Sequence, residues 1–158
     1  MAHQQGVYSI LDAEGEAFTH GLKAKPTVIK PNIHELEGFL ERTLHTDVEI
    51  IEACTEIIAT YGVKSVVVSM GKSGSIFVNN NERLRITPFP IEPKSTVGAG
   101  DSMVAAIASS LLHERSFEDM ARYACAAGTI TASKSGTDVA TLEEVQDKLH
   151  EVKVERLA

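Results

Sequence analysis

The chain has 158 residues, a formal net charge of −7 and 43% apolar residues. This length and apolar share are enough for one compact domain. Its 23% of charged residues and its apolar share exclude a disordered chain, a collagen and a coiled coil. No apolar stretch reaches the roughly 20 residues of a membrane span, so we expect no membrane partner. Two cysteines are too few for a disulfide scaffold and fit a reducing cytosol, so we expect a cytoplasmic location. The acidic balance argues against a nucleic-acid partner, which would need a basic face. It leaves a phosphate ligand open, because backbone amides at a helix start can bind one.

The first part of the chain alternates short apolar runs with helical patterns. Val7–Leu11 and Thr27–Ile29 are predicted strands, and a weak helix is predicted over Gly15–Leu22 between them. After Asn32, apolar residues recur at three- and four-residue spacing and predict an amphipathic helix that carries Leu36, Phe39, Leu40 and Leu44.

The middle of the chain predicts a helix followed by three strands. The helix begins at an N-cap at Asp47 and ends at Gly62. Ser65–Met70 is a continuous apolar run, typical of a strand buried on both faces of a parallel sheet. Ser75–Val78 and Leu84–Ile86 flank three asparagines and predict a hairpin.

A proline-rich connection and three helices are predicted for the rest. Pro88–Lys94 holds three of the five prolines and is expected to be extended. The helices are predicted over Asp101–Leu112, over Ser116–Ser133, and from Thr141, where Glu144 completes a capping box. Strands that alternate with helices, followed by further helices, indicate an α/β sheet covered by helices.

The start of the sequence resembles the last turn of a helix. Ala2–Gly6 ends in a glycine stop, and the first strand follows it directly. We therefore expect the chain to begin inside a larger fold. A disordered native start is the alternative.

The segment Ser95–Ser102 (STVGAGDS) carries the strongest chemical signal, because it lies directly before an apolar helix. Gly98 and Gly100 let the backbone turn so that successive N–H groups face one point, and the helix dipole adds positive potential there. Asp101 lies at the edge of this anion site and suits a base that takes a proton from a hydroxyl attacking a phosphoryl group. In the alternative interpretation, Asp101 only caps the helix and the glycines only form the turn.

Three other segments each have a chemical and a purely structural interpretation. Asn32 and Glu35 open a helix after a strand, so they either hold the water shell of Mg²⁺ or form a plain capping box. Ser69–Gly74 joins two strands with glycines suited to close ligand approach, or is a simple hairpin link. Ala124–Gly128 is a small-residue helix face, for which close helix packing and a flat ligand such as adenine are the two explanations.

Taken together, these segments resemble the C-terminal half of the PfkB, or ribokinase-like, carbohydrate kinases, in order and over almost all of the chain. Asn32 with Glu35 is similar to the family's N-x-x-E element, Ser69–Gly74 to its nucleotide-binding turn, and Gly98–Asp101 to its G-A-G-D signature. The resemblance implies a three-layer α/β/α fold. Residues 1–158 would be a single truncated nucleotide-binding portion, without the family's lid domain.

The resemblance also implies ATP-dependent phosphorylation of a sugar-phosphate hydroxyl. Asp101 would be the base, while the amides of Gly98, Ala99 and Gly100 would stabilise the transferred phosphoryl group. Mg²⁺ would be organised by Asn32 and Glu35. The nucleotide contacts implied are Lys30, Asn32, Ser69, Gly71, Gly74, Cys125 and Thr129. A potassium ion is a further candidate ligand, on a loop formed by Ser95, Val97, Thr131, Lys134, Gly136 and Asp138, although Lys134 stands where a polar uncharged residue is expected.

The sugar phosphate stays open, because the residues that discriminate would lie in the other half of such a kinase. Fructose 6-phosphate is the first expectation, with fructose 1-phosphate and tagatose 6-phosphate as alternatives. The parent kinase is expected to be a homodimer. The chain alone is expected to self-associate through an exposed sheet edge and to lack turnover. A non-catalytic nucleotide-binding module is the alternative from another functional class.

Overall fold

The computed structural model describes residues 5–158, which form α-helices and a sheet. The strands are β1 (Ile10–Leu11), β2 (Val28–Ile29), β3 (Ser65–Ser69), β4 (Ser75–Asn79), β5 (Arg83–Thr87) and β6 (Lys153–Arg156). The α-helices are α1 (Gly15–Leu22), α2 (Ile33–Leu40), α3 (Asp47–Tyr61), α4 (Ala99–Leu112), α5 (Phe117–Ala132) and α6 (Leu142–Lys148). The strands form one mixed sheet in the order β1-β2-β3-β4-β5-β6, so the predicted α/β class is confirmed. The helix end predicted at Ala2–Gly6 lies largely outside the described residues.

The chain divides into two compact units. The first runs to Gly71 and adds Ser75–Arg83 and Arg156–Ala158, and the second contains Lys72–Gly74 and Leu84–Glu155. In the first unit β1, β2 and β3 are parallel, and β3 pairs with β4 in the antiparallel direction. Val66, Val67 and Val68 of β3 are fully buried, as the uninterrupted apolar run predicts.

Side-chain hydrogen bonds shorten the first two strands relative to the prediction. The Ser9 N–H donates to Thr27 Oγ1 at 3.0 Å, and the Thr27 N–H donates to Ser9 Oγ at 3.3 Å. The N–H groups of Ser9 and Thr27 thus go to hydroxyls and not to backbone carbonyls, and β1 begins only at Ile10 and β2 at Val28. Serine and threonine compete with the sheet ladder in this way because their hydroxyls can bond to nearby backbone groups.

The helices of the first unit differ from prediction at one cap and one end. The N-cap of α3 is Thr46 and not Asp47, because the Thr46 hydroxyl and Glu49 complete a capping box. Gly62 ends α3 in the left-handed conformation, with φ of 71°, as predicted. Helix α2 ends at Leu40, yet Leu44 beyond it is still buried.

In the second unit α4 packs along α5, and α6 begins with the predicted box of Thr141 and Glu144. The approach of the first two helices is close at Gly128, where an added Cβ would lie 2.8 Å from Met103 Cγ and 3.3 Å from the Ala99 carbonyl oxygen. The sequence-based prediction of three closing helices was incomplete, because β6 follows α6. Its mostly charged and exposed residues lack the apolar alternation that reveals a strand.

Candidate functional site

The predicted anion site lies at the start of α4. Gly98 is the N-cap, with φ of 80°, and Asp101 is in the first helical turn. Among the described residues no side chain caps this N-terminus, although the Ala99 N–H reaches the Thr96 carbonyl at 3.3 Å. The first amides of a helix have no partner inside the helix, so those after Ala99 are donors that favour an anion, with the helix dipole behind them.

Only one of the two glycines is needed for the backbone turn. Gly98 has a positive φ, whereas Gly100 is already part of α4 and has none. The prediction that both glycines turn the chain was therefore wrong for Gly100. A role of Gly100 in ligand approach, through its missing side chain, stays a prediction.

Thr131 of α5 connects the start of α4 to the loop before α6. It is 1% exposed, and its hydroxyl lies 2.8 Å from Ser102 Oγ of α4 and accepts the Ala140 N–H at 3.0 Å. The chain before the turn is held from the same helix, because Lys94 and Ser95 both donate their N–H to the Ala132 carbonyl. The anion turn is thus fixed to the end of α5 by hydrogen bonds on both sides.

Asn32 and Glu35 form a complete capping box at the start of α2. Asn32 Oδ1 accepts the Glu35 N–H at 2.9 Å, and Glu35 Oε2 accepts the Asn32 N–H at 2.8 Å. The plain structural interpretation is therefore realised. It does not exclude the chemical one, because the box uses one of the two carboxylate oxygens of Glu35.

The carboxyl ends of the parallel strands bring several predicted residues together. Asn32 forms an isolated parallel bridge with Ser69, and Lys30 directly follows β2. Lys30 is 5% exposed, and its ammonium lies 3.3 Å from a carboxylate oxygen of Asp12. Asp12 was not among the site residues predicted from the sequence, although its position directly after β1 matches that of Lys30 after β2.

The turn after β3 contains two glycines with different roles. At Gly71, with φ of 56°, an added Cβ would meet nothing within 4 Å in the described part of the chain, so only the backbone conformation favours glycine. At Gly74, with φ of 90°, a Cβ would lie 2.0 Å from the Ile86 carbonyl oxygen. The close approach predicted for a ligand at Gly74 is made by the neighbouring strand β5. Nucleotide contact by Ser69, Gly71 and Gly74 stays a prediction.

The small-residue face of α5 is a packing surface at Gly128. Cys125 on the same helix is 5% exposed, and burial raises the pKa of its thiol to about 11. Its sulfur lies 3.9 Å from Thr129 Oγ1. Helix packing therefore explains Gly128. Nucleotide contact by Cys125 and Thr129 stays a prediction.

The predicted potassium loop is held together by its own side chains and backbone. Lys134 Nζ donates to the Val139 carbonyl at 2.9 Å and to Glu144 Oε2 at 2.7 Å. The Asp138 N–H donates to the Ser135 carbonyl at 3.3 Å. In the segment before Gly98, the Val97 N–H donates to Ser95 Oγ at 3.2 Å. Gly136 has a positive φ of 63°, which suits the tight bend of this loop.

Neither a metal cluster nor a membrane span is found within residues 5–158. No three histidine, cysteine, aspartate or glutamate side chains in this range come together as metal ligands. None of the helices described there is both long and apolar enough to cross a membrane.

Comparison with known proteins identifies one family. The family model described as pfkB family carbohydrate kinase matches residues 1–144. The chain is 38% identical over 153 residues to 1-phosphofructokinase of Haemophilus influenzae, covering 96% of the chain and 49% of that protein. It is 30% identical over 156 residues to tagatose-6-phosphate kinase of Staphylococcus epidermidis, covering 98% of the chain and 50% of that protein. The chain thus spans about half the length of the curated relatives it matches.

Solved structures agree on the fold. The crystal structure of Escherichia coli phosphofructokinase-2 in complex with potassium has a TM-score of 0.89 and 34% identity, over 95% of this chain and 49% of that one. Ribokinase of Thermotoga maritima has a TM-score of 0.71 and 24% identity, over 94% of this chain and 47% of that one. At that identity the second likeness shows the fold alone. The predicted ribokinase-like fold is confirmed.

Proposed function

Because the chain belongs to the pfkB family of carbohydrate kinases, we propose that it carries the ATP side of a kinase that phosphorylates a sugar phosphate. The observation that supports this most is the N-terminus of α4. It has a left-handed glycine at its N-cap, Asp101 in its first turn, and no capping side chain from the described part of the chain. Backbone donors that converge next to a carboxylate suit the transfer of a phosphoryl group to a hydroxyl.

Each residue at this turn has a proposed task. The amides of Gly100 and Asp101, which follow Ala99, hold the transferred phosphoryl group, and the absence of a side chain at Gly100 lets it approach. Asp101 takes the proton from the attacking sugar hydroxyl, a step that requires the hydroxyl within hydrogen-bond distance of its carboxylate. Thr131 and Ser102 hold the turn in place.

The residues after β2 suit Mg²⁺. A carboxylate oxygen and an amide are donors for a hard cation that keeps several of its waters, and the capping box leaves one Glu35 oxygen outside its own hydrogen bonds. When bound, Mg²⁺ neutralises phosphate charge. Asn32 and Glu35 would hold it through water, and Lys30 would contact the nucleotide.

Fructose 6-phosphate is the substrate that we propose first, with fructose 1-phosphate and tagatose 6-phosphate as the competing assignments. The competing functional class is a chain that binds nucleotide and catalyses nothing. Apart from Asp101, every residue with a proposed task serves the nucleotide or its cation and not the sugar. The site is therefore compatible with both classes, and the next two experiments separate them.

The first experiment tests the anion turn by calorimetry with Mg-ATP. We expect weak binding by the chain and a further loss in Gly100→Val, because the added side chain lies where the phosphates approach. Gly38→Val is the matched control, since Gly38 is also in a helix and a Cβ there would meet none of the described residues within 4 Å. Equal affinities of the unmodified chain and Gly100→Val would contradict the site.

The second experiment measures sugar-dependent ADP release. The chain alone is expected to release none, since alignment of both reactants is worth about 7–11 kcal/mol and Asp101 is the only residue proposed above that contacts the sugar. Fused behind the N-terminal half of Escherichia coli phosphofructokinase-2, it should release ADP with fructose 6-phosphate, and Asp101→Ala should lower that rate about 100-fold or more. A folded fusion that binds Mg-ATP yet releases no ADP would favour the non-catalytic class.

A further inference from the structure

The loop between α5 and α6 contains a partly buried ammonium. The Lys134 side chain is 24% exposed, although it lies in a loop that joins two helices. Its Nζ donates to the Val139 carbonyl at 2.9 Å and to the Glu144 carboxylate at 2.7 Å. One cation therefore bridges a loop carbonyl and the first turn of α6.

Thr131 and Ser135, which lie close to Lys134 in the chain, accept hydrogen bonds from within the same segment. The Thr131 carbonyl accepts the Lys134 N–H at 3.0 Å, and the Ser135 carbonyl accepts the Asp138 N–H at 3.3 Å. The Thr131 hydroxyl is bonded to Ser102 and to the Ala140 N–H. A potassium ion in a protein needs a shell of such oxygens to replace its water, whereas this loop is held by its own hydrogen bonds and by the Lys134 ammonium.

The position of the ammonium connects the loop to the anion turn. Lys134 holds Val139 through its carbonyl, and Val139 Cγ1 lies 3.9 Å from the place of a Cβ on Gly98. The ammonium carries the same single charge as potassium and has three donors that point at oxygens.

We propose that the Lys134 ammonium takes the place of a monovalent cation, so that the loop keeps its conformation without bound potassium. The residues of the loop do not fit the potassium site expected from the family resemblance, because a charged side chain of the loop itself already bridges Val139 and Glu144. This inference concerns the structure of the loop and does not depend on the proposed kinase activity.

Thermal unfolding of the chain tests the proposal without any assay of activity. The melting temperature is measured at constant ionic strength in KCl, NaCl and choline chloride for the unmodified chain, Lys134→Ala and Lys148→Ala. Lys148 is the matched control, because it pairs with Glu151 within a short helical stretch and is 45% exposed.

We expect the unmodified chain to melt at the same temperature in all three salts. Lys134→Ala should melt about 2–4 °C lower in choline chloride, more than Lys148→Ala does, and KCl should recover part of that loss. A saturable, potassium-specific rise in the unmodified chain would overturn the proposal, and this result does not require any variant to fold. A Lys134→Ala variant that loses stability but gains nothing from KCl would also overturn it, since Lys134 would then be only a tether of the loop.

Discussion

Lys30 is a buried charged residue, and a buried charge needs a partner of opposite charge. An ammonium that is 5% exposed is tolerated when a carboxylate compensates its lost hydration, and Asp12 lies 3.3 Å away. Because the Asp12 side chain is itself one-third exposed, water screens the pair in part. The pair therefore fixes the direction of Lys30 and compensates its buried charge.

Asp12→Asn should lower the free energy of unfolding by about 1–3 kcal/mol, because it leaves a buried charged donor without its anionic partner. Urea denaturation at neutral pH measures the loss. Glu56→Gln is the control, since Glu56 pairs with Arg42 at 4.0 Å on the surface, and its change should stay within about 0.5 kcal/mol. Equal losses in the two variants would contradict a special role for Asp12.

Glu144 gives a prediction about pH. The hydrogen bond from Lys134, followed by that from the Thr141 backbone, lowers the pKa of Glu144 from 4.5 to about 2. A lowered pKa in the folded state stabilises the fold above the unfolded value, and this stabilisation disappears as the pH falls from about 4.5 to about 2. In Glu144→Gln that part of the acid sensitivity should be missing.

The measurement for Glu144 is the free energy of unfolding at pH 5 and pH 3. The difference between the unmodified chain and Glu144→Gln should be larger at pH 5 and shrink at pH 3. Glu143→Gln, which changes the exposed carboxylate next to it, should lose stability in parallel with the unmodified chain. A constant difference for Glu144→Gln across this range would refute the assignment.

At the scale of elements, the turn between β3 and β4 shows two reasons for glycine. Both Gly71 and Gly74 have positive φ, but only Gly74 lies against a neighbouring backbone in the described structure. An alanine at Gly71 meets the cost of a left-handed conformation, about 1–2 kcal/mol. An alanine at Gly74 adds a clash with the Ile86 carbonyl oxygen, which belongs to a strand and cannot easily move.

Gly74→Ala should therefore destabilise the chain by at least about 3 kcal/mol, clearly more than Gly71→Ala. Chemical denaturation of both variants measures the two losses under the same conditions. If the two substitutions cost the same, the backbone conformation alone would explain both glycines. The close approach to Ile86 would then contribute nothing to the loss of stability.

At the scale of the whole molecule, β1 lies at one end of the strand order. The residues before it, Val7 and Tyr8, are 56% and 52% exposed. An edge strand beside exposed apolar side chains is a template for pairing with another chain. We therefore expect the chain to self-associate as its concentration rises.

Sedimentation velocity over a concentration series tests this expectation. Tyr8→Lys should shift the chain toward the monomer, because a charged side chain beside an edge opposes pairing. Val48→Lys is the control, since Val48 is 63% exposed but lies on α3. A monomer at all concentrations, or an equal effect of both lysines, would contradict association through β1.

The sequence by itself determined the elements whose signals are local. Gly62 ends α3, and Thr141 with Glu144 begins α6, because a cap is made by residues within one helical turn. The apolar run of β3 predicted a buried strand for a similar reason. The Gly98–Asp101 segment was placed at a helix start because glycine and a following apolar helix are adjacent in the chain.

Only the tertiary structure decided the features that depend on residues far apart in the chain. Asp12 reaches Lys30 only once β1 and β2 lie side by side, and the Ile86 carbonyl meets Gly74 only once β5 lies beside the turn that contains this glycine. Ser102 meets Thr131, 29 residues further along the chain, only where α4 packs along α5. No local pattern indicates such contacts, because each depends on how strands or helices pack. The charged residues of β6 likewise form a strand because the sheet offers their backbone groups hydrogen-bond partners, which no apolar pattern in their own sequence reveals.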